Sequence, residues 1–298
     1  MKGHTGKGRE INSVFGKTGN FLYLRFHTGG SWISLKGSAV WASCFDMNTA
    51  CIRFYEELND FLPSGRRKIT YPIQFRDNPS AKSIIESEGI PHTEVDLILI
   101  NGESVTFSEK VRHGDHISVF PVFESFDISS ISVVRLKPLR EPKFVLDVHL
   151  GKLTRYLRML GFDSLYKNNF SDDEIFRISV DERRSVLTRD RRLLMRRDLE
   201  RGYWIRSQLI PEQVREVISK FDLEKSLHLF SICTLCNGKL QSSTEETARQ
   251  QYPSYKFYPG TVFYKCISCS HTYWNGSHCE RFQESLTSLI TQPSPSGI

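Results

Sequence analysis

Residues 144–161 read Phe144-Val-Leu-Asp147-Val-His-Leu-Gly-Lys-Leu-Thr-Arg-Tyr-Leu-Arg-Met-Leu-Gly161, and this stretch decides the fold of the C-terminal half of the chain. Its first three residues form a short apolar run that is typical of a buried strand, and an aspartate ends the run. From His149 to Leu160 the leucines recur every three or four residues, which predicts an amphipathic helix. Gly161 follows as a helix terminator. We therefore predict a strand, a carboxylate at its end and a helix.

The same alternation continues to about residue 222. Further strands are predicted at 162–166, 185–188 and 203–206, each bounded by polar or helical sequence. Ser171 and Glu174 form a capping-box pattern that opens a second helix, and Pro211 opens another. Strands that alternate with helices indicate a parallel sheet covered on both faces. The prediction for residues 143–222 is therefore an α/β domain with three layers.

The preceding region, residues 49–125, shows a different order of elements. Strand patterns at 51–55 and 69–75 precede a helix that Asn78 and Pro79 begin, and strand patterns at 95–100 and 116–120 follow it. Asn101-Gly102 is a strong signal for a tight hairpin. This order predicts a β-grasp, ubiquitin-like domain. Residues 1–48 show no sustained pattern and are predicted to be a flexible leader with one short strand near residues 21–24.

Four cysteines near the C-terminus form two close pairs: Cys233, Cys236, Cys266 and Cys269. Pairs of this spacing bring their thiolates to one tetrahedral metal ion, and four thiolates leave no position for a reactive water. We predict a structural Zn²⁺ in a zinc ribbon over residues 230–283, followed by a flexible tail over 284–298. The alternatives are two disulfides or four buried thiols.

The composition limits the function. The 298 residues carry a formal net charge of +6, which favours an acidic partner such as RNA or DNA. The seven cysteines are an odd number, which suits a reducing compartment and predicts a cytoplasmic protein. No apolar run approaches the length of a membrane span, so no membrane association is predicted.

Acidic residues follow the predicted parallel strands. Asp147 ends the first strand, Asp190 follows the third, and Asp172 and Asp173 begin a helix after the second. The carboxyl ends of parallel strands meet at one edge of the sheet, where such proteins bind ligands. Carboxylates that meet there select Mg²⁺ or Mn²⁺, which can activate water for attack at phosphorus. Each acid also has an ordinary interpretation: Asp172 and Asp173 suit any first helical turn, and Asp190 can cap a helix.

Basic residues surround these acids and suggest contacts to phosphate. The guanidinium fork binds phosphate through two hydrogen bonds, although a solvated arginine-rich face has the same pattern. The residues predicted to contact nucleic acid are Lys152, Arg155, Arg158, Arg189, Arg191 and Arg192.

These motifs, taken in order, resemble the Mut-seven C-terminal RNase domain family. The resemblance rests on residues 144–163, on Ser171-Asp-Asp-Glu174, on Leu187-Thr-Arg-Asp190 and on the two cysteine pairs. It implies a PIN-like nuclease fold with an appended zinc ribbon and metal-dependent cleavage of RNA. It also implies that Asp147, Asp173 and Asp190 hold a catalytic Mg²⁺ or Mn²⁺, with Asp172 or Glu174 nearby. The upstream unit resembles the ubiquitin-like domain fused to this RNase domain, and a protein partner for it is expected.

The chain departs from the nuclease pattern at one position. Many PIN-like nucleases carry a further acid after the aspartate of the third strand, but Arg191 and Arg192 follow Asp190 here. This departure favours the alternative of a non-catalytic RNA-binding or adaptor protein with a degenerate PIN-like fold. A sulfur-carrier role is disfavoured, because residues 120–124 lack the terminal Gly-Gly that this chemistry needs.

Overall fold

A computed structural model describes residues 21–28, 31–38, 47–122, 133–134 and 143–276. The chain divides into two compact units, Met1–Asp46 and Met47–Ile298. In the first unit, strands β1 (Phe21–Thr28) and β2 (Ser31–Ser38) pair as an antiparallel hairpin. The sequence predicted one short strand in this region, so the second strand is a correction. The predicted tail at 284–298 lies outside the described residues.

The second unit begins with a sheet of five strands in the order β4-β3-β7-β5-β6. Its elements are β3 (Asn48–Phe54), β4 (Tyr71–Phe75), α1 (Ala81–Ser87), β5 (Val95–Ile100), β6 (Glu103–Ser104) and β7 (His116–Pro121). Strands β3 and β7 are parallel, and the other neighbours are antiparallel. The order confirms the predicted β-grasp fold.

Local sequence explains two features of this domain. Asn101 and Gly102 both have positive φ, at 54° and 90°, which is the backbone that a tight hairpin between β5 and β6 needs. Helix α1 begins at Ala81, and the Ser80 hydroxyl accepts from the Ser83 N–H. The predicted cap at Asn78 was therefore wrong by two residues, because Ser80 supplies the first hydroxyl acceptor with an extended backbone.

A parallel sheet in the order β11-β10-β8-β9 forms the next domain. Its elements are β8 (Phe144–Leu146), α2 (Gly151–Met159), β9 (Ser164–Leu165), α3 (Asp172–Glu182), β10 (Ser185–Thr188), α4 (Arg191–Leu194), β11 (Gly202–Trp204) and α5 (Ile210–Lys220). A short 3-10 helix, Val148–Leu150, precedes α2. Hydrogen-bonded parallel pairing joins β8 to β10 and β9, and β10 to β11.

Alternating strand residues divide the core of this domain into two layers. Phe144 and Leu146 pack with the leucines of α2 and the valines of α5 on one face of the sheet. Val145 packs with Ile175 of α3 and the leucines of α4 on the opposite face. The three-layer arrangement predicted from the sequence is confirmed. Asp147 therefore emerges directly from the buried central strand β8.

The cysteine region forms a small antiparallel sheet of three strands. Its elements are β12 (Leu240–Ser243), α6 (Glu245–Gln251), β13 (Phe263–Cys266) and β14 (Thr272–Trp274). Gly161, at the end of α2, has a φ of +95°, and a Cβ there would lie 2.3 Å from the carbonyl oxygen of His228. Glycine at 161 therefore allows the chain before the first cysteine pair to approach the α/β domain.

The ubiquitin-like domain contacts the β11 edge of the parallel sheet. The outward N–H of Trp204 donates to the Glu94 carboxylate at 2.6 Å, and Arg206 pairs with Asp60 at 2.9 Å. Lys220 pairs with Glu57 at 2.6 Å. One backbone N–H of the edge strand is therefore satisfied by a carboxylate of the upstream domain, and two ion pairs join the domains beside it. Within the part of the chain that the structure describes, no helix is both long and apolar enough to cross a membrane.

Candidate functional site

A cleft of about 860 Å³ opens at the carboxyl edge of the parallel sheet. Its walls come from the segments that follow all four parallel strands and from the loop of the first cysteine pair. Among the residues that the structure describes, the charged side chains that line it are cationic: Lys152, Arg155, Arg158, Lys167 and Arg189, with His149 beside them. Such a cleft concentrates positive potential and attracts anions.

Three of the predicted nucleic-acid residues lie on this cleft with exposed side chains. Lys152 and Arg155 project from consecutive turns of α2, and Arg189 follows β10. The structure adds Lys167, an exposed residue between β9 and α3 that the sequence reasoning missed. The Lys167 ammonium group lies 5.4 Å from the ring centre of Phe170, a weak contact that an exposed lysine can exchange for a phosphate.

Arg158 also borders the cleft, but its side chain is 4% exposed and its guanidinium is occupied. Its Nε donates to the Ser164 carbonyl at 2.9 Å, and its Nη1 donates to the carbonyls of Thr234 and Leu235 at 3.0 and 2.9 Å. The prediction of a phosphate contact is corrected to a contact with backbone carbonyls. The period of the helix predicted the direction of the Arg158 side chain, but it did not predict that the loop of the first cysteine pair covers this side chain.

Arg191 and Arg192 are not among the residues that line the cleft. The Arg191 guanidinium lies 3.9 Å from the ring centre of Trp204 and 5.0 Å from that of Phe61. Arg191 therefore joins the junction with the ubiquitin-like domain, which corrects the prediction. Arg192 is exposed, and its backbone N–H donates to the Asp190 carboxylate at 2.8 Å.

Thr188 links two of the predicted catalytic aspartates. Its hydroxyl donates to Oδ2 of Asp147 at 2.8 Å and accepts from the backbone N–H of Asp190 at 2.9 Å. Asp147 is 7% exposed, and Asp190 is exposed. Both follow neighbouring parallel strands, so they lie at the same edge of the sheet, as predicted. Asp190 also caps α4 through the Arg192 N–H, which was its alternative interpretation.

The acids at the start of α3 are engaged elsewhere. Asp173 is paired with Arg196, and this contact lowers the pKa of its carboxyl group. Glu174 completes a capping box with Ser171, whose N–H donates to Glu174 Oε2 at 2.8 Å and lowers its pKa. Asp172 is exposed on the first turn. The ordinary interpretation of these acids therefore has direct structural support.

The three predicted catalytic carboxylates do not form a common cluster. In the described ranges, the four cysteines are the group of three or more metal-ligating side chains whose ligand atoms lie within 4.8 Å of one another. Asp147 and Asp190 leave the same edge of the sheet and offer the oxygen ligands that Mg²⁺ or Mn²⁺ prefers, but the Thr188 hydroxyl joins the Asp147 carboxylate to the backbone N–H of Asp190 and not to its carboxylate. Asp173 does not fit that ion in this arrangement, because Arg196 neutralises it.

Uncharged polar residues complete the cleft, and the sequence reasoning missed them: Tyr166, Asn168, Asn169, Gln208 and Gln213. The Tyr166 hydroxyl donates to the Val148 carbonyl at 3.0 Å, and a Cβ at Gly151 would lie 2.6 Å from that hydroxyl. Gln213 is 3% exposed and donates to the Ser207 carbonyl at 2.9 Å. The available signal was the Asn-Asn pair between a strand and a capping box, at the carboxyl edge of a parallel sheet.

The four cysteines converge as predicted. The Sγ atoms of Cys233 and Cys269 lie 3.6 Å apart, and those of Cys236 and Cys266 lie 3.4 Å apart. Four thiolates around a tetrahedral Zn²⁺ have sulfur atoms about 3.8 Å apart, since each Zn–S bond is about 2.3 Å long. All four are free cysteines, not disulfides. The group can therefore hold a metal ion such as zinc.

The four thiols differ in how readily they ionise. Burial opposes ionisation of Cys266, but the N–H groups of Cys269 and Ser268, each 3.4 Å from its Sγ, together with the neighbouring thiols lower its pKa to about 7. Burial raises the pKa of Cys236 to about 12 and also raises that of Cys269. The N–H of Cys236 approaches Cys233 Sγ at 3.5 Å in the equivalent position of the first pair. The two pairs thus present a similar loop of backbone donors to the sulfur atoms.

Two family models match this chain. Residues 142–286 match the family model described as Mut7-C RNAse domain, and residues 47–127 match the one described as Mut7-C ubiquitin. A solved structure titled "Crystal structure of SAMP1 from Haloferax volcanii" is 14% identical, covers 27% of this chain and 100% of its own, and has a TM-score of 0.21. No curated protein matches the chain.

The two family matches lie in the order predicted from the sequence: the first spans the parallel-sheet domain and the cysteine region, and the second spans the β-grasp domain. The first description supports a nuclease or other RNA-related role. The chain therefore carries a domain of the Mut7-C RNAse family, preceded by a Mut7-C ubiquitin domain.

Proposed function

We propose that this protein binds the phosphate backbone of RNA in the cationic cleft and hydrolyses it with a divalent metal ion. One observation carries the proposal. Cationic side chains from the segments after β8, β9 and β10 meet at the sheet edge where Asp147 and Asp190 also lie. Phosphate attraction and paired carboxylates at one edge are the two requirements of metal-assisted phosphodiester cleavage.

The cleft residues hold and orient the substrate. Lys152, Arg155, Lys167 and Arg189 are exposed, so a phosphate exchanges its counterions for these side chains on binding. Arg155 and Arg189 offer planar pairs of N–H donors, and the lysines act as point charges. The cleft thereby brings a phosphodiester to the strand ends and limits its rotation there.

Asp147 and Asp190 are the carboxylates that would hold Mg²⁺ or Mn²⁺. Such an ion supplies a hydroxide nucleophile and stabilises charge on the phosphate oxygens. Thr188 fixes the rotamer of Asp147 by donating to Oδ2, which leaves Oδ1 directed away from that hydrogen bond. We assign supporting roles to the three acids at the start of α3: Asp172, Asp173 and Glu174. Asp173 reaches an ion only if its ion pair with Arg196 opens.

A second candidate function is RNA binding without cleavage. It is favoured by a specific observation: Asp190 caps α4, Asp173 pairs with Arg196 and Glu174 closes a capping box. A degenerate nuclease fold without activity would keep these three acids for the same structural contacts. A cytoplasmic location and a protein partner for the ubiquitin-like domain remain predictions that neither candidate requires.

The test is cleavage of labelled RNA and DNA panels by the zinc-loaded chain. Activity is measured with added Mg²⁺ or Mn²⁺ and in buffer freed of both by a resin, since a strong chelator would also remove the zinc. Asp147→Asn keeps the size of the side chain and should reduce the cleavage rate by at least about a hundredfold while leaving RNA affinity in place.

The matched control is Asp181→Asn, an exposed acid at the far end of α3 that should leave the rate unchanged. Equal cleavage by wild type and Asp147→Asn would remove the catalytic assignment. RNA binding without cleavage by the wild type under every metal condition would select the second candidate.

A further inference from the structure

We infer that the loop of the first cysteine pair is a wall of the RNA cleft, with Leu235 contacting the apolar face of a bound nucleotide and Arg158 positioning that loop. The inference rests on the proposed function, because it names a further contact of the same cleft. It assigns to the metal-binding segment a direct part in substrate binding.

The loop reaches the cleft through Thr234 and Leu235, which both line it. The Leu235 side chain is 57% exposed and stands in a cleft whose charged lining is cationic. A single exposed leucine is ordinary on any surface. Here, however, the adjoining cations attract a ligand with an anionic backbone, and single-stranded RNA also carries apolar base faces. Leu235 supplies the apolar surface that the cations lack.

Arg158 fixes the loop from the α/β domain. One nitrogen, Nη1, donates to both the Thr234 and the Leu235 carbonyls, and Nε donates to the Ser164 carbonyl at the same time. The planar fork of arginine makes these contacts simultaneously, whereas a lysine offers one ammonium group. The backbone of Leu235 is therefore held directly by a buried charge from α2.

Asn237 fixes the other end of the loop. Its Oδ1 accepts from the Ser164 N–H at 2.8 Å, and its Nδ2 donates to Oδ1 of Asp163 at 2.5 Å. Asp163 is itself paired with Arg184 at 2.7 Å. Both ends of the loop are thus tied to β9 and its flanking residues, so the loop and the cleft edge form one structure.

The second cysteine pair provides a matched control within the same chain. Ile267 follows Cys266 in an equivalent loop and is 58% exposed, almost the same fraction as Leu235. It is not among the residues that line the cleft. The two side chains are isomers with similar exposure, and each lies between the two cysteines of its pair, Leu235 next to the second cysteine and Ile267 next to the first. They therefore allow a comparison of a side chain inside the cleft with one outside it.

The first experiment compares Leu235→Ala with Ile267→Ala in the full, zinc-loaded chain. Fluorescence polarisation measures the affinity for a single-stranded RNA 12-mer, and the zinc content is measured in parallel. Leu235→Ala should weaken binding about fivefold, since roughly half of a leucine side chain becomes buried on binding. Ile267→Ala should leave the affinity unchanged. Equal affinities of the two variants would overturn the assignment of Leu235.

The second experiment tests the positioning role of Arg158 with a double-mutant cycle. If Arg158 acts by placing Leu235, then Leu235→Ala should cost little further affinity in an Arg158→Met background. Additive losses would show that Arg158 does not act through the loop. If Arg158→Met does not retain zinc, Arg158→Lys serves as the background, with the same two outcomes, because it keeps the positive charge but loses the planar fork.

Failure of this inference is distinguishable from failure of the proposed function. A wild-type chain that does not bind RNA would end the proposed function. A wild-type chain that binds RNA, together with a Leu235→Ala variant that binds it equally well, would end only the role of Leu235.

Discussion

Two junctions meet the parallel sheet, and they use different chemistry. At the β11 edge, the ubiquitin-like domain presents carboxylates to cations of the α/β domain, as in the pairs of Asp60 with Arg206 and Glu57 with Lys220. At the β9 edge, the cysteine loop presents backbone carbonyls and one amide side chain to Arg158 and Asp163. The first junction depends on paired charges, and the second depends on the shape of a backbone loop.

The different chemistry of the two junctions predicts how each responds to substitutions, to pH and to loss of a metal ion. In both pairs the cation is mostly buried and the carboxylate is partly exposed, so loss of the carboxylate leaves a mostly buried cation without its partner. A loop held by its carbonyls keeps its partners only while the loop keeps its conformation, and a metal ion on the four cysteines would fix that conformation. The β11 junction should therefore respond to charge substitutions and pH, and the β9 junction to the metal.

The largest expected effect is removal of the metal. In Cys236→Ser, residues 230–276 should lose amide protection, since structural zinc contributes on the order of 10 kcal/mol to the folding of small metal domains. Residues 47–122 should keep their protection, because the backbone hydrogen bonds shown for them in the described structure do not involve the cysteine loop. Hydrogen exchange by mass spectrometry measures both regions. Simultaneous loss in both would show that the junctions are not independent.

Next in size is Arg206→Met at the other junction. Arg206 contacts Asp60, lies 3.8 Å from the fully buried Glu94 and stacks on Tyr203 and Trp204. Its loss leaves Glu94 buried without this cation, so the free energy of unfolding should fall by about 3 kcal/mol. Urea unfolding measures the change, and zinc content should stay at the wild-type level. A change below about 0.5 kcal/mol would contradict the role given to the charge pairs.

The pH dependence of the same junction gives a third prediction. Burial raises the pKa of the Glu94 carboxyl, and Arg206 and Lys220 offset this only in part. A raised folded-state pKa means that the wild type loses stability as pH rises from about 4.5, its unfolded value, through the folded value. The Glu94→Gln variant has no carboxyl group at this position, so it does not lose stability in this way.

The stability of Glu94→Gln relative to the wild type should therefore increase from pH 4.5 toward neutrality and then level off. Urea unfolding at a series of pH values measures this difference, and the other titrating groups cancel because both chains carry them. A difference that is constant over this range would be inconsistent with a raised pKa at Glu94.

The smallest effect separates two arginines that look alike in the sequence. Arg155→Ala should weaken RNA binding and reduce the salt dependence of affinity by about one counterion. Arg191→Ala should leave RNA affinity unchanged and lower stability by about 0.5–1 kcal/mol through loss of its stacking on Trp204. Binding titrations at several salt concentrations and urea unfolding measure the two quantities. Equal effects on RNA affinity would place Arg191 in the binding surface after all.

Local pattern predicted most of the architecture. The strands at 95–100 and 185–188 have the predicted bounds, and the capping box of Ser171 and Glu174 is present. The cysteine convergence followed from ligand spacing. These features depend on interactions between near neighbours in the chain or on a fixed coordination geometry, which sequence alone expresses.

Tertiary partners account for what sequence reasoning missed. Arg155 and Arg158 lie three residues apart on α2, but one is exposed in the cleft and the other is covered by the cysteine loop. Arg191 contacts Phe61, which is far away in the chain. The helical period gives the direction of a side chain but not the segment that meets it. The same limit applies to Asp173, whose pairing with Arg196 no local pattern indicated.

The hydrogen bond from the Trp204 N–H to the Glu94 carboxylate has a consequence for fragments of the protein that lack the ubiquitin-like domain. Strand β11 is the edge strand of the parallel sheet. The outward backbone groups of an uncovered edge strand can pair with strands of neighbouring molecules. A fragment beginning at residue 143 would expose the outward backbone groups of β11 and should self-associate at high concentration. We expect the full chain, in which Glu94 accepts from the Trp204 N–H, to self-associate less than this fragment.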